Sequence, residues 1–159
     1  MSQAIFGISV LLNIVGFGVA ARLFAWPRLR VMERDRALAW LVAPHMSRFI
    51  GLSFLVPGVV SPSLPAALAV PAAWGDFVAA VLAIVASVAL SKRVSWAVPA
   101  VWVFNLWGAA DLIYAFYSGP RSQLEAGDLG ASFFIVTFIV PGLLVLHFLI
   151  FRLLVRTRR

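Results

Sequence analysis

Five long apolar runs constrain this chain more than any other feature of its sequence. They cover approximately residues 4–25, 37–60, 76–90, 94–117 and 131–154. Because the hydrocarbon core of a bilayer offers no hydrogen-bonding partner to the backbone, a spanning segment must be an α-helix or a strand of a closed barrel. Barrel strands would appear as short segments of alternating hydrophobicity, which these runs are not. The sequence therefore predicts an all-α polytopic membrane protein, a bundle of about five transmembrane helices.

The composition agrees with a protein that lies almost entirely in lipid. The 159 residues are 63% hydrophobic and 12% charged, whereas a soluble domain is about 25% charged. We predict a single transmembrane domain over residues 1–159, with no room for a soluble catalytic domain beside it. The absence of cysteine excludes disulfides, thiolate catalysis and iron–sulfur ligation.

The start of the third span is the least regular boundary. Residues 66–75 are apolar but contain Pro71, which removes a helical hydrogen bond. We expect this stretch to lie in the membrane interface or to re-enter the membrane, and the third span to begin near Asp76.

The distribution of basic residues predicts the orientation of the bundle. Eleven basic residues lie on the side of the first loop, the turn at residues 92–93 and the C-terminus, against only Arg121 on the other side. The positive-inside rule then places the N-terminus outside and the C-terminus in the cytoplasm, most simply in a bacterial inner membrane. Charges at span ends favour contact with anionic lipid headgroups over binding of nucleic acid. The eleven residues are Arg22, Arg28, Arg30, Arg34, Arg36, Lys92, Arg93, Arg152, Arg156, Arg158 and Arg159.

A few polar residues lie inside the apolar spans, where each needs a hydrogen-bonding or charged partner or has a function. At 1.5 Å per residue, Asn13, Arg48 and Asn105 lie at a similar depth and are expected to form a hydrogen-bonded cluster. Asp111 lies roughly 9 Å further toward the outer side, nearly within reach of the long Arg48 side chain. The predicted ion pair between Arg48 and Asp111 either sets the register of the helices or handles a ligand or a proton.

Two further residues complete the candidate ligand-binding set. Pro141 removes the helical hydrogen bond to the carbonyl of Thr137, and a freed carbonyl can coordinate an ion or ligand. Trp107 belongs to an aromatic-rich fourth span whose rings would line a pocket for a flat, hydrophobic small molecule. A simple kink and ordinary packing against lipid are the alternative interpretations of these two features.

The two histidines are expected at matching depth on antiparallel spans, His45 on the second and His147 on the fifth. Two facing imidazoles can ligate a haem iron, and Gly51 and Gly142 would leave room for a porphyrin. In its topology the chain resembles the five-span cytochrome b subunit of respiratory nitrate reductases. That resemblance implies ligand histidines on the second and fifth helices, although that family holds two haems with four histidines. One b-type haem is therefore an alternative, and histidines that bond across helices are the other.

The sequence contains no motif that assigns a reaction. HExxH, GxSxG, paired carboxylates and phosphate-binding loops are all missing, so no residue is predicted to be catalytic and an enzyme is left open. The leading hypothesis is a membrane protein that binds or conducts a small ligand, lipid or proton through a polar pocket around Arg48, Asn105 and Asp111. The alternatives are the haem module and an accessory subunit, either as a homo-oligomer or within a larger membrane complex.

Overall fold

The computed structural model describes residues 2–121 and 125–156 and is helical, with no β-strand in those two ranges. Five helices are long and apolar enough to cross a membrane, as the sequence predicts. We label them α1 (Gln3–Leu29), α2 (Arg34–Leu55), α3 (Ala66–Ser91), α4 (Ala97–Arg121) and α5 (Ile135–Leu154). A short 3₁₀ helix, Ala126–Ser132, precedes α5.

Helices α2 to α5 form the body of the bundle, and α1 lies on its outside. Helix α3 packs against α2 and α4, and α5 packs against the same two helices. Helix α1 packs mainly against α5, where the ring of Phe17 packs against that of Phe138 in a tilted arrangement, with 5.2 Å between centroids. None of the described α1 residues before Leu29 is buried, so this helix leaves most of its apolar surface for lipid.

Helix α3 is longer than the sequence suggested. It begins at Ala66 and continues through Pro71 to Ser91, so residues 66–75 are neither a separate interfacial segment nor a re-entrant one. Pro71 lies in the second turn and is exposed. Because it removes only one hydrogen bond close to the helix start and its ring points outward, the helix tolerates it. Asp76 consequently lies well inside α3.

Basic residues of the first loop, the α3–α4 turn and the end of α5 lie at one end of the bundle, which we call the basic end. Arg158 and Arg159 lie outside the described residues. The Arg34 side chain donates a hydrogen bond to the carbonyl of Leu154 at 2.7 Å, and Arg156 donates to the carbonyl of Arg30 at 2.9 Å. Arg93 forms an ion pair with Glu33 at 3.0 Å. These contacts join the first loop, the α3–α4 turn and the end of α5.

At the opposite end, two connections bond to each other: the segment between α2 and α3, and the 3₁₀ helix that precedes α5. The segment between α2 and α3 accepts a hydrogen bond at Val59 from the N–H of Ala131, and Ser61 donates to the carbonyl of Asp128. Gly130 has φ +52° and lies directly against the Val59 carbonyl. A side chain at this position would be strained and would collide with that carbonyl, so glycine holds the two connections together.

Three glycines let the central helices approach closely. A Cβ atom on Gly51 of α2 would collide with the Asp76 side chain, and one on Gly75 of α3 would collide with that of Asp111. A Cβ on Gly108 of α4 would lie 2.7 Å from the Arg48 Nη1 atom and 2.7 Å from the imidazole of His147. Each glycine therefore provides the space that a polar side chain of a neighbouring helix occupies. The polar residues concerned are Asp76, Asp111, Arg48 and His147.

Substitution of these glycines tests the packing. We expect Gly75→Ala and Gly108→Ala each to destabilise the bundle by about 1–3 kcal/mol, because the added methyl group displaces a charged side chain of the Arg48 cluster. Gly16→Ala in α1 is the matched control, since no atom lies within 4 Å of the added group. The measurement is thermal unfolding in mild detergent. Equal midpoints for all three variants would contradict the packing described here.

Candidate functional site

The local geometry of α2 determines which of its side chains are directed into the bundle. From Ala43 to Leu55 this helix is wound as a 3₁₀ helix, in which residues three apart lie in line. Its buried residues are spaced at that interval: His45, Arg48, Gly51 and Phe54. A 3₁₀ stretch of this length is uncommon, and here it directs a histidine and an arginine along one line into the bundle.

Arg48 is the centre of the site, and only 2% of its surface is exposed. Its Nε atom donates to Asp76 Oδ1 at 2.7 Å, and its Nη2 atom contacts Asp76 Oδ1 and Asp111 Oδ2, both at 2.7 Å. Its Nη1 atom donates to the carbonyl of Gly108 at 3.1 Å and faces His147 Nε2 at 3.3 Å. All three guanidinium nitrogens are therefore paired. The predicted ion pair with Asp111 is present.

Asp76 is the residue that the sequence analysis missed. We placed it at the start of the third span, whereas the structure places it inside α3, 7% exposed and bonded to Arg48. The available signal was the single acidic residue in the long apolar run 66–91. Pro71 concealed that signal, because it suggested that the run was interrupted.

The three charges do not cancel. Arg48 contributes one positive charge, and Asp76 and Asp111, when both are ionised, contribute two negative charges. Each carboxylate uses one oxygen to bond to Arg48. The second oxygen is Oδ2 in Asp76 and Oδ1 in Asp111, and it lies against a glycine in both cases. Neither of these second oxygens has a hydrogen-bond donor among the described residues. The ionised cluster therefore carries one excess negative charge in an apolar bundle, which is costly without compensation.

His147 and Asn105 form a second layer behind the arginine. Because a guanidinium can only donate, His147 Nε2 accepts from Arg48, and the proton of the neutral ring is on Nδ1. That Nδ1–H donates to Asn105 Oδ1 at 2.7 Å, and the Asn105 amide donates to the carbonyl of His147 at 3.3 Å. The tautomer of His147 and the orientation of the Asn105 amide are thus consistent with each other. Asn105 reaches Arg48 through His147 and not by direct contact.

The two histidines do lie together, but their geometry does not fit the haem alternative. The ring centroids of His45 and His147 are 4.2 Å apart, so the rings are in contact and no porphyrin fits between them. Both nitrogens of His147 are already engaged. The space expected at the two glycines is occupied by Asp76 at Gly51 and by the Phe17 ring at Gly142. The described residues also contain no group of three or more metal-ligating side chains.

His45 itself is fully buried, and neither of its ring nitrogens has a hydrogen-bond partner among the described residues. Its ring packs edge-on against Phe104, with 5.0 Å between centroids.

The remaining predicted residues lie outside the Arg48 cluster. The Asn13 side chain donates to the carbonyl of Ser9 in its own helix, and the Thr137 hydroxyl donates to the carbonyl of Phe133 in the same way. Trp107 is half exposed, and its indole N–H donates to the carbonyl of Gly75 at 3.3 Å. The expected direct cluster of Asn13 with Arg48 and Asn105 is therefore not seen among these contacts.

A cavity of about 490 Å³ begins at the two aspartates and extends toward the end opposite the basic end. Asp76 and Asp111 line its inner part, and Glu125 lines it near the connecting segments. Most of its other lining residues are apolar. They include Phe6, Phe54, Leu68, Leu112, Phe116 and Val140.

Asp128 helps to fix the segment that closes this end. It accepts hydrogen bonds from the Ser63 hydroxyl and from the backbone N–H of Glu125, and these bonds lower the pKa of the Asp128 carboxyl below its ordinary value. Because the folded state favours the ionised carboxylate, this contact contributes fully above the ordinary pKa and is lost as the pH falls through the lowered value.

Comparison with known proteins gives a family. No curated protein and no solved structure matches the chain. Residues 5–155, nearly the whole sequence and every helix of the bundle body, match the family model described as "Domain of unknown function (DUF8737)". The chain therefore belongs to the DUF8737 family.

Proposed function

We propose that this protein binds a small, largely apolar ligand in its intramembrane cavity, with the ion cluster of Arg48, Asp76 and Asp111 as the polar end of the site. The observation that carries the proposal is the position of the two aspartates, which bond to Arg48 on one side and line an apolar cavity on the other. Binding sites of this kind combine an apolar wall with a few convergent polar groups.

The purely structural alternative is a buried ion pair that only fixes the register of the helices. A single carboxylate would suffice to neutralise Arg48 for that purpose. The second carboxylate and the 490 Å³ of space beside the pair support a ligand site. Conduction of the ligand or of a proton through the same cluster is part of this hypothesis, since ionisable residues inside membranes commonly mark such pathways.

The orientation of the cavity follows from the positive-inside rule. The basic end would face the cytoplasm, where its arginines contact anionic headgroups, and the N-terminus would lie outside. The cavity would then open in the outer half of the membrane. In a bacterial cell the membrane would be the inner membrane, and the ligand would enter the cavity from the periplasmic side.

Cysteine labelling tests this orientation, because the natural chain has no cysteine. We introduce Pro62→Cys at the cavity end and Ser91→Cys at the basic end, both at exposed positions. In intact cells or spheroplasts a membrane-impermeant maleimide should label Cys at position 62 and reach position 91 only after permeabilisation. The opposite pattern would reverse the proposed orientation.

Photolabelling tests the cavity without knowledge of the natural ligand. The probe is uncharged 3-(trifluoromethyl)-3-phenyldiazirine, applied to protein in lipid nanodiscs, with the labelled residues located by mass spectrometry. We expect label on Leu112, which is 2% exposed and lines the cavity, as well as on its lipid-facing neighbour Ile113. Ala72→Trp should fill the cavity and reduce label on Leu112 several-fold while leaving Ile113 unchanged.

The matched control is Ala67→Trp, an exposed position on the same helix that does not line the cavity. It should leave both labels as in the natural protein. Leu112 that is unlabelled in the natural protein, or labelled equally in the Ala72→Trp variant, would overturn the proposal of a ligand cavity.

A further inference from the structure

We infer that the ligand of this cavity is a monovalent organic cation, with one positive charge on an apolar body. This inference rests on the proposed function and specifies the ligand class of the same site. Its basis is the excess negative charge of the cluster that lines the inner part of the cavity.

Among the residues that the structure describes, Arg48 is the one cation at this site. None of the described residues that line the cavity is a lysine or an arginine, and Glu125 adds a further acidic group. Arg48 lies behind the two aspartates, where its guanidinium nitrogens are already paired. A cation that enters from the cavity would supply the compensating positive charge.

Asp76 provides the second observation. It is more than nine-tenths buried, it lines the cavity, and its Oδ2 atom has no hydrogen-bond donor among the described residues. A carboxylate oxygen that accepts no hydrogen bond from the described residues can take a ligand as its partner. A cation in the cavity would supply that partner through charge and, where it carries an N–H, through a hydrogen bond.

The wall of the cavity favours an organic cation over a bare metal ion. Calcium and magnesium require about six or more oxygen ligands, whereas most of this lining is aliphatic or aromatic. Phe6, Phe54 and Phe116 line the cavity, and aromatic faces attract cations. A cavity of about 490 Å³ is in the size range of small-molecule sites.

The test compares two probes of the same shape and opposite charge, tetraphenylphosphonium and tetraphenylborate. Binding to the natural protein in nanodiscs is measured by equilibrium dialysis, and partitioning into lipid is subtracted with empty nanodiscs. We expect saturable binding of tetraphenylphosphonium but not of tetraphenylborate. Asp111→Asn leaves Arg48 balanced by Asp76 alone and should weaken tetraphenylphosphonium binding about tenfold or more.

Glu33→Gln is the matched control, because it removes the same charge at the exposed basic end and should leave the affinity unchanged. Equal weakening by Glu33→Gln and Asp111→Asn would overturn the inference, since only the net charge of the protein would then matter. Thermal unfolding of Asp111→Asn confirms that the variant is folded before binding is compared.

The remaining outcomes separate this inference from the proposed function. If both probes bind with similar affinity and both are lost in Ala72→Trp, the ligand cavity stands and the preference for a cation is wrong. If neither probe binds while Leu112 is still photolabelled, the cation inference fails alone. Absence of both binding and photolabelling would overturn the inference and the proposed function together.

Discussion

The burial of Arg48 is the constraint on which the rest of this structure depends. A guanidinium inside an apolar bundle has no water to solvate it, so the protein must supply both its counter-charge and its hydrogen-bond acceptors. Here α3 and α4 supply the carboxylates, α4 also supplies a carbonyl, and α5 supplies an imidazole nitrogen. One side chain of α2 thereby bonds to the three other helices of the bundle body.

Other features of the fold follow from this requirement. The 3₁₀ winding of α2 aligns Arg48 with His45 and Gly51 on the buried line, and the glycines at positions 51, 75 and 108 make room for the charged side chains. The Asn105–His147 pair fixes the imidazole tautomer that can accept from Arg48. Apolar clusters lie on both sides of this polar layer.

The sequence predicted the parts of this arrangement that depend on hydropathy and depth. Five apolar runs predicted five membrane-crossing helices, and counting residues along antiparallel spans brought Arg48 to Asp111 and His45 to His147. It did not predict that Asp76 lies inside α3. Pro71 interrupts the apolar run in the sequence, but so near the helix start it does not interrupt the helix. The 3₁₀ winding and the cavity depend on packing among several helices, which no single span encodes. Counting depth also cannot tell a side chain that bonds across the bundle from one that bonds within its own helix, as Asn13 does.

The most direct test of the account is the unfolding of charge-compensated variants in mild detergent. Arg48→Leu alone should cost about 3–5 kcal/mol, because it leaves two unpaired carboxylates in the bundle. Adding Asp76→Asn and Asp111→Asn to that variant should recover much of the loss, because the site is then uncharged. If Arg48→Leu unfolds at the same midpoint as the natural protein, or if the triple variant is no more stable than Arg48→Leu, then Arg48 does not hold these helices together through its two aspartates.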